Sequence, residues 1–101
     1  MSIDWREVIC RAIADRRVLR FRYRATLRTV YPCAHGWLDT GNEALRAHEV
    51  RLDAGELRVG FGKLFLLASM DDVQITDVEF DRPPPGYRRG DRGMQRIHCQ
   101  L

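Results

Sequence analysis

The stretch from Val18 to Pro32 alternates apolar side chains with arginines and then turns back on itself. In an extended strand, neighbouring side chains leave opposite faces. Leu19, Phe21 and Tyr23 therefore share a core face, and Arg20, Arg22 and Arg24 a charged one. Hydrophobic matching places the turn at Ala25 and Thr26, with Leu19 opposite Pro32, Phe21 opposite Val30 and Tyr23 opposite Arg28. No Asn-Gly or Asp-Gly marks this turn, so a register slip of one residue is the competing arrangement. Before the hairpin, Val8, Ile9, Ala12 and Ile13 recur at helical spacing, which predicts an amphipathic helix over 4–17 capped by Asp4 and Glu7. Its outer side carries Arg6, Arg11, Arg16 and Arg17 as a solvated face, the last two suited to a helix C-terminus.

Past Cys33-Ala-His-Gly-Trp-Leu, the turn signal Asp39-Thr-Gly-Asn leads into a strand pattern over 43–52. Asp53-Ala-Gly-Glu is another turn, and Leu57 to Phe61 reads equally as a short edge strand or as loop. Lys63 to Met70 is apolar at nearly every position, the pattern of a central strand buried on both sides. Asp71-Asp72 ends it, and Val73 to Phe80 forms one more strand. Arg82-Pro-Pro-Pro-Gly ends the sheet, because proline has no N–H to donate. Beyond it, Asp91 caps a final helical turn that docks Met94, Ile97, His98 and Leu101 from one face.

One helix followed by about five short strands implies a mainly β domain: a small Sm-like or SH3-like antiparallel β-barrel preceded by an N-terminal α-helix. The alternative is an open α+β sheet covered by the helix. A length of 101 residues fits one domain over 1–101, with the helix at 4–17, the barrel at 18–80 and a Pro-rich turn and docked tail at 82–101.

The net charge of +3 permits an anionic partner without demanding one. Cys10, Cys33 and Cys99 are odd in number, lack paired spacing and follow no signal peptide, so the expectation is no disulfide and a reducing, cytoplasmic location. No apolar run reaches membrane-spanning length, so no membrane partner is expected.

In order along the chain, Ala12-Ile13, Leu19-Arg-Phe-Arg-Tyr23, Arg28-Thr-Val-Tyr-Pro32, Gly41-Asn-Glu-Ala-Leu-Arg46, Lys63-Leu-Phe65, Phe80, Pro85-Gly-Tyr87 and Met94 through Cys99-Gln-Leu101 resemble the short, stand-alone WYL-like proteins of bacteria. The resemblance implies an Sm-like β-barrel that senses a nucleotide or nucleic-acid ligand and regulates transcription or defence. Larger members of that family join the barrel to a DNA-binding helix-turn-helix, for which 101 residues leave no room, so the sensing module alone carries over. The counterpart of the Trp-Tyr-Leu tripeptide is Ala44-Leu-Arg-Ala, and Gly62 stands where an aromatic precedes the family's lysine.

The candidate phosphate-binding cluster is Tyr23, Arg28, Arg46, His48 and Lys63, of which Arg28 and Arg46 match positively charged family positions. A guanidinium grips phosphate bidentately, and tyrosine offers a stacking face. The competing role for these arginines is to pair with Glu43, Glu49 or Asp77. Cys33, His35, His98 and Cys99 offer soft ligands, but their spacing is that of no common zinc site, so no metal and no cofactor are expected and the cysteines read as small hydrophobes. The sequence contains no phosphate loop, nucleophile elbow or metal-hydrolase helix, which leaves a non-enzymatic ligand-binding module as the first reading. A structural module that self-associates or binds an acidic partner protein is the second.

Overall fold

The computed structural model describes residues 5–53, 56–84 and 86–101. The expected cap Asp4, the centre of the Asp53-Ala-Gly-Glu turn and Pro85 lie outside them. Helix α1 spans Trp5–Ala14 and buries Ile9, Ala12 and Ile13. It ends three residues earlier than the periodicity implies, because Arg16 takes a left-handed backbone (φ 53°) and Arg17 already belongs to the next strand. Strands β1 (Arg17–Tyr23), β2 (Thr26–Trp37), β3 (Glu43–Asp53), β4 (Glu56–Leu66) and β5 (Met70–Glu79) follow, with β6 (Arg96–Gln100) at the end. All paired strands are antiparallel, in the order β4-β3-β2-β1-β5, and β6 pairs with β2. The fold is thus mainly β with one N-terminal helix, and among the described residues no ladder joins β4 to β5.

The first hairpin corrects the expected register. Leu19 lies opposite Val30, Phe21 opposite Arg28 and Tyr23 opposite Thr26. The turn is the two-residue loop Arg24-Ala25, both in the left-handed region (φ 49° and 66°). Such a primed turn matches the twist of its strands, at a cost of roughly 1–2 kcal/mol for each non-glycine residue held there. Partners move by two positions, not one, so every side chain keeps its face. Leu19 and Phe21 are fully buried, while Arg20 and Arg22 remain exposed.

The stretch 63–70 is not a central strand. It contains the end of the outer strand β4, a 3-10 turn at Leu67–Ser69 and the start of β5. Phe65 before the corner and Met70 after it enter the same core, with Leu67 packed against it. A continuous apolar run arises here because the chain changes direction over the core, so both arms face it. Asp71 and Asp72 do not end a strand either. They lie within β5, with Asp72 at φ 52° where the pairing to β1 is irregular.

The tail docks, but as a strand and not as a helical turn. Pairing of β1 to β2 stops at Val30, which leaves one side of Ala34 to Trp37 without backbone partners. Buried backbone groups need partners, and β6 supplies them opposite Ala34, His35, Gly36 and Trp37. Gly36 admits this approach: a Cβ there would collide with the carbonyl oxygen of Arg96. Met94 is buried, and the Tyr87 hydroxyl donates to the Leu101 carbonyl at 3.1 Å.

The topology also overturns the expectation of free cysteines. Cys10 on α1 and Cys99 on β6 form a disulfide, with Cα atoms 5.8 Å apart and a sequence separation of 89. Local spacing carries no signal for such a pair, because packing of α1 on β6 alone brings the two together. Cys33 remains a free, buried thiol. The core joins α1 to the sheet through Leu19, Phe21, Val30, Leu45, Ala47, Phe65, Met70 and Val73, and a smaller cluster of Val18, Tyr31 and Phe80 lies apart from it. Among the described residues, no helix is long and apolar enough to cross a membrane.

Candidate functional site

Between the β2-β3-β4 surface and the segment 86–92 lies a cleft of about 400 Å³. Its lining includes Arg46, His48, Gly62, Tyr87, Arg88, Arg89, Asp91 and Arg92. Arg46 donates to both Asp91 carboxylate oxygens, at 2.7 and 3.4 Å. The Gly93 N–H also donates to Asp91, at 2.8 Å. Burial pushes the Asp91 carboxyl up, but these two donors and the Arg46 charge outweigh it and hold the group below the ordinary carboxylate range. The pair anchors the 86–92 segment to β3. Arg88, Arg89 and Arg92 are exposed, and among the described residues none of the three has an ion-pair partner.

His48 is nearly buried, and its Nδ1–H donates to the Gly60 carbonyl at 3.0 Å. That bond leaves Nε2 as the acceptor nitrogen, and a Cβ at position 62 would lie 3.2 Å from it. Gly62, with no side chain of its own, therefore gives His48 its room and opens the cleft wall.

The other three residues of the expected cluster lie elsewhere. Arg28 pairs through Nη1 with Glu49, which also accepts from Lys63 at 3.1 Å. The Arg28 Nε is buried without a hydrogen-bond partner. Tyr23 stands edge-on to Phe65 at 5.1 Å, and its hydroxyl accepts the Leu66 N–H at 3.2 Å. The cleft thus keeps Arg46 and His48 and adds Tyr87, Arg88, Arg89 and Arg92. The run Tyr87-Arg-Arg-Gly-Asp-Arg92 is the signal that would have found the new members, an aromatic followed by closely spaced cations after a Pro-Gly turn.

A second constellation gathers on α1, β2 and β6. Ligand atoms of Cys10, His35, His98 and Cys99 all lie within 4.8 Å of one another. His35 Nδ1 is 3.2 Å from His98 Nδ1, which is 3.4 Å from Cys10 Sγ. On its other side, His35 Nε2 meets Glu43 Oε2 at 3.0 Å, and Arg6 Nε donates to the same carboxylate at 3.1 Å. The Arg6 bond, against opposing burial and with help from His35, holds Glu43 below the usual carboxylate range. Burial lowers His35 despite Glu43, so its ring is neutral near pH 7. Trp37 stands edge-on to both histidines, with Arg96 over its face at 4.1 Å. Cys33 takes no part: burial pushes its thiol up to about 12, and it remains an inert small hydrophobe.

The three depressed carboxylates set an acid limit on stability. Glu49 joins Glu43 and Asp91, because Lys63 and Arg28 outweigh its burial. A carboxyl whose folded value lies below its unfolded value stabilises fully above the unfolded value, about 4, and loses that contribution as pH falls through the folded one. The melting temperature is expected to fall from about pH 5 downward. Thermal scans between neutral and strongly acid pH check this, and a flat profile rejects it.

Known proteins supply no further guide to either constellation: the chain matches no family model, no curated protein and no solved structure.

Proposed function

We propose that this chain is a binding module whose cleft takes a phosphate-bearing ligand, a nucleotide or a short single strand of nucleic acid. The observation that carries this reading is the cleft wall: Arg88, Arg89 and Arg92 project without ion-pair partners among the described residues, beside Tyr87 and the Arg46–Asp91 pair. Guanidinium groups bind phosphate oxygens in forked pairs, and an aromatic ring gives a base a stacking surface. The same reading keeps the WYL-like assignment and its Sm-like barrel as proposals. In support, a helix precedes five strands in which β1 lies between β2 and β5, and a 3-10 turn links β4 to β5. Carboxylate partners on Arg28 and Arg46 favour a scaffold role for those two residues, so ligand contact falls to the 88–92 arginines.

The test is a titration with a labelled oligonucleotide and with a nucleoside triphosphate at two salt concentrations. Affinity is expected to fall as salt rises, since phosphate contacts release counterions. Arg89→Ala is expected to weaken binding by about 1.5–3 kcal/mol, the scale of a hydrogen bond to a charged group. Arg28→Ala, outside the cleft, is expected to lower stability by roughly 1–2 kcal/mol with unchanged affinity, because Glu49 retains Lys63. Absence of binding at low salt, or affinity indifferent to Arg89→Ala, overturns the reading.

A further inference from the structure

We infer that Cys10, His35, His98 and Cys99 form a zinc site in the reduced protein, and that the Cys10–Cys99 disulfide is the metal-free, oxidised form of the same site. Two sulfurs and two imidazole nitrogens are the donor set of structural tetrahedral zinc. All four converge within 4.8 Å. At zinc–nitrogen bonds of about 2.0–2.1 Å, two nitrogens on one tetrahedral ion lie about 3.4 Å apart. The two Nδ1 atoms are 3.2 Å apart.

Protonation of His35 fits the same role. A carboxylate accepts and does not donate, so the Glu43 contact places the hydrogen on His35 Nε2 and leaves a lone pair on Nδ1, facing the cluster. A carboxylate behind a ligating histidine is the usual outer support of zinc, fixing the tautomer and the ring plane. Arg6, bonded to Glu43, holds that carboxylate in turn. Two thiolates and Zn²⁺ sum to zero, as do Glu43 and Arg6, so the loaded site adds no unbalanced charge. His98 is exposed and Cys10 and Cys99 are half-buried, which gives an ion a path inward. Ala34, a neighbour of His35 on β2, lines the arginine cleft, so the two sites use opposite faces of one strand.

The redox step balances with a dithiol as reductant. The dithiol gives two electrons and two protons to the Cys10–Cys99 bond and becomes a disulfide itself. Zinc then replaces the two thiol protons, which leave to solvent, and the freed sulfurs turn onto the ion. A disulfide oxidant reverses the sequence: it takes up the two electrons and two protons, is reduced to the dithiol, and zinc leaves as Cys10 and Cys99 rejoin.

The experiment uses the full chain with cobalt(II) in place of zinc, because tetrahedral thiolate-bound cobalt has intense visible absorption. The chain reduced under anaerobic conditions is expected to bind one cobalt with that spectrum and to exchange it for zinc, while the oxidised chain binds none. Glu43→Gln is expected to weaken metal binding about 10–100-fold, with the spectrum preserved. His98→Ala, at an exposed position that leaves folding intact, removes a ligand atom and is expected to weaken binding further and alter the spectrum. A reduced wild-type chain with no tetrahedral thiolate spectrum overturns the proposal, and so does a His98→Ala chain that binds cobalt as the wild type does.

Discussion

Phe21→Ala is expected to lower the stability of the folded chain by about 3–5 kcal/mol, the cost of removing a fully buried aromatic side chain and leaving a cavity. Phe21 is inaccessible to solvent and is one of three aromatic rings in mutual contact, edge-on to Phe65 at 5.2 Å and to Tyr23 at 6.3 Å. Such edge-to-face pairs add roughly 0.5–1.5 kcal/mol beyond the area they bury. The surrounding strands cannot collapse into the space, because β1 is held by ladders on both sides, to β2 and to β5. Urea unfolding of both chains gives the difference directly from the shift in midpoint at constant slope. A loss under about 1 kcal/mol would place the ring outside the core.

Reduction of Cys10–Cys99 in metal-free buffer is the second large effect. The two cysteines are 89 positions apart in sequence, and closing a loop of that length restricts the unfolded chain by about 4.5 kcal/mol in the chain-entropy account. For a domain of about 100 residues, each kcal/mol moves the melting temperature by roughly 4–8 °C, so reduction is expected to lower it by roughly 18–36 °C. The bond also fastens β6 to α1, and β6 partners the otherwise bare side of Ala34 to Trp37. Loosening is therefore expected to begin at this end, visible as early amide exchange in β6 and in the matching half of β2. Thermal scans with and without a dithiol, each in the presence of a chelator, check the magnitude. A melting temperature that does not change on reduction rejects it.

Part of the molecule was legible in the sequence. Periodicity located the helix, the first hairpin, the Asp39–Asn42 turn and the face that Leu19, Phe21 and Tyr23 present, because burial of one face forces alternation whatever the partner is. Gly41 takes the positive φ of 88° that its turn requires. Register was not legible, since a slip of two keeps every face and changes only which residues meet. That slip moved Arg28 from Tyr23 to Phe21, within reach of Glu49. The cleft was legible in part: Arg46 and His48 lie in its wall, while its exposed cations follow Tyr87, in a segment whose position depends on the Arg46–Asp91 pair.

What the sequence determined by itself was local: which side chains avoid water, where the chain must turn, and that its charge is arginine-rich. What only the tertiary structure decided was everything that depends on unpaired backbone and on residues distant in sequence. The final segment carries a helical spacing of Met94, Ile97 and Leu101, yet it forms a strand because Ala34 to Trp37 need hydrogen-bond partners that a helix cannot give. The same docking carries His98 and Cys99 to Cys10 and His35, a meeting of three elements that no spacing along the chain encodes. Hydrophobic period constrains faces, whereas strand pairing chooses neighbours, and both candidate sites are made of neighbours.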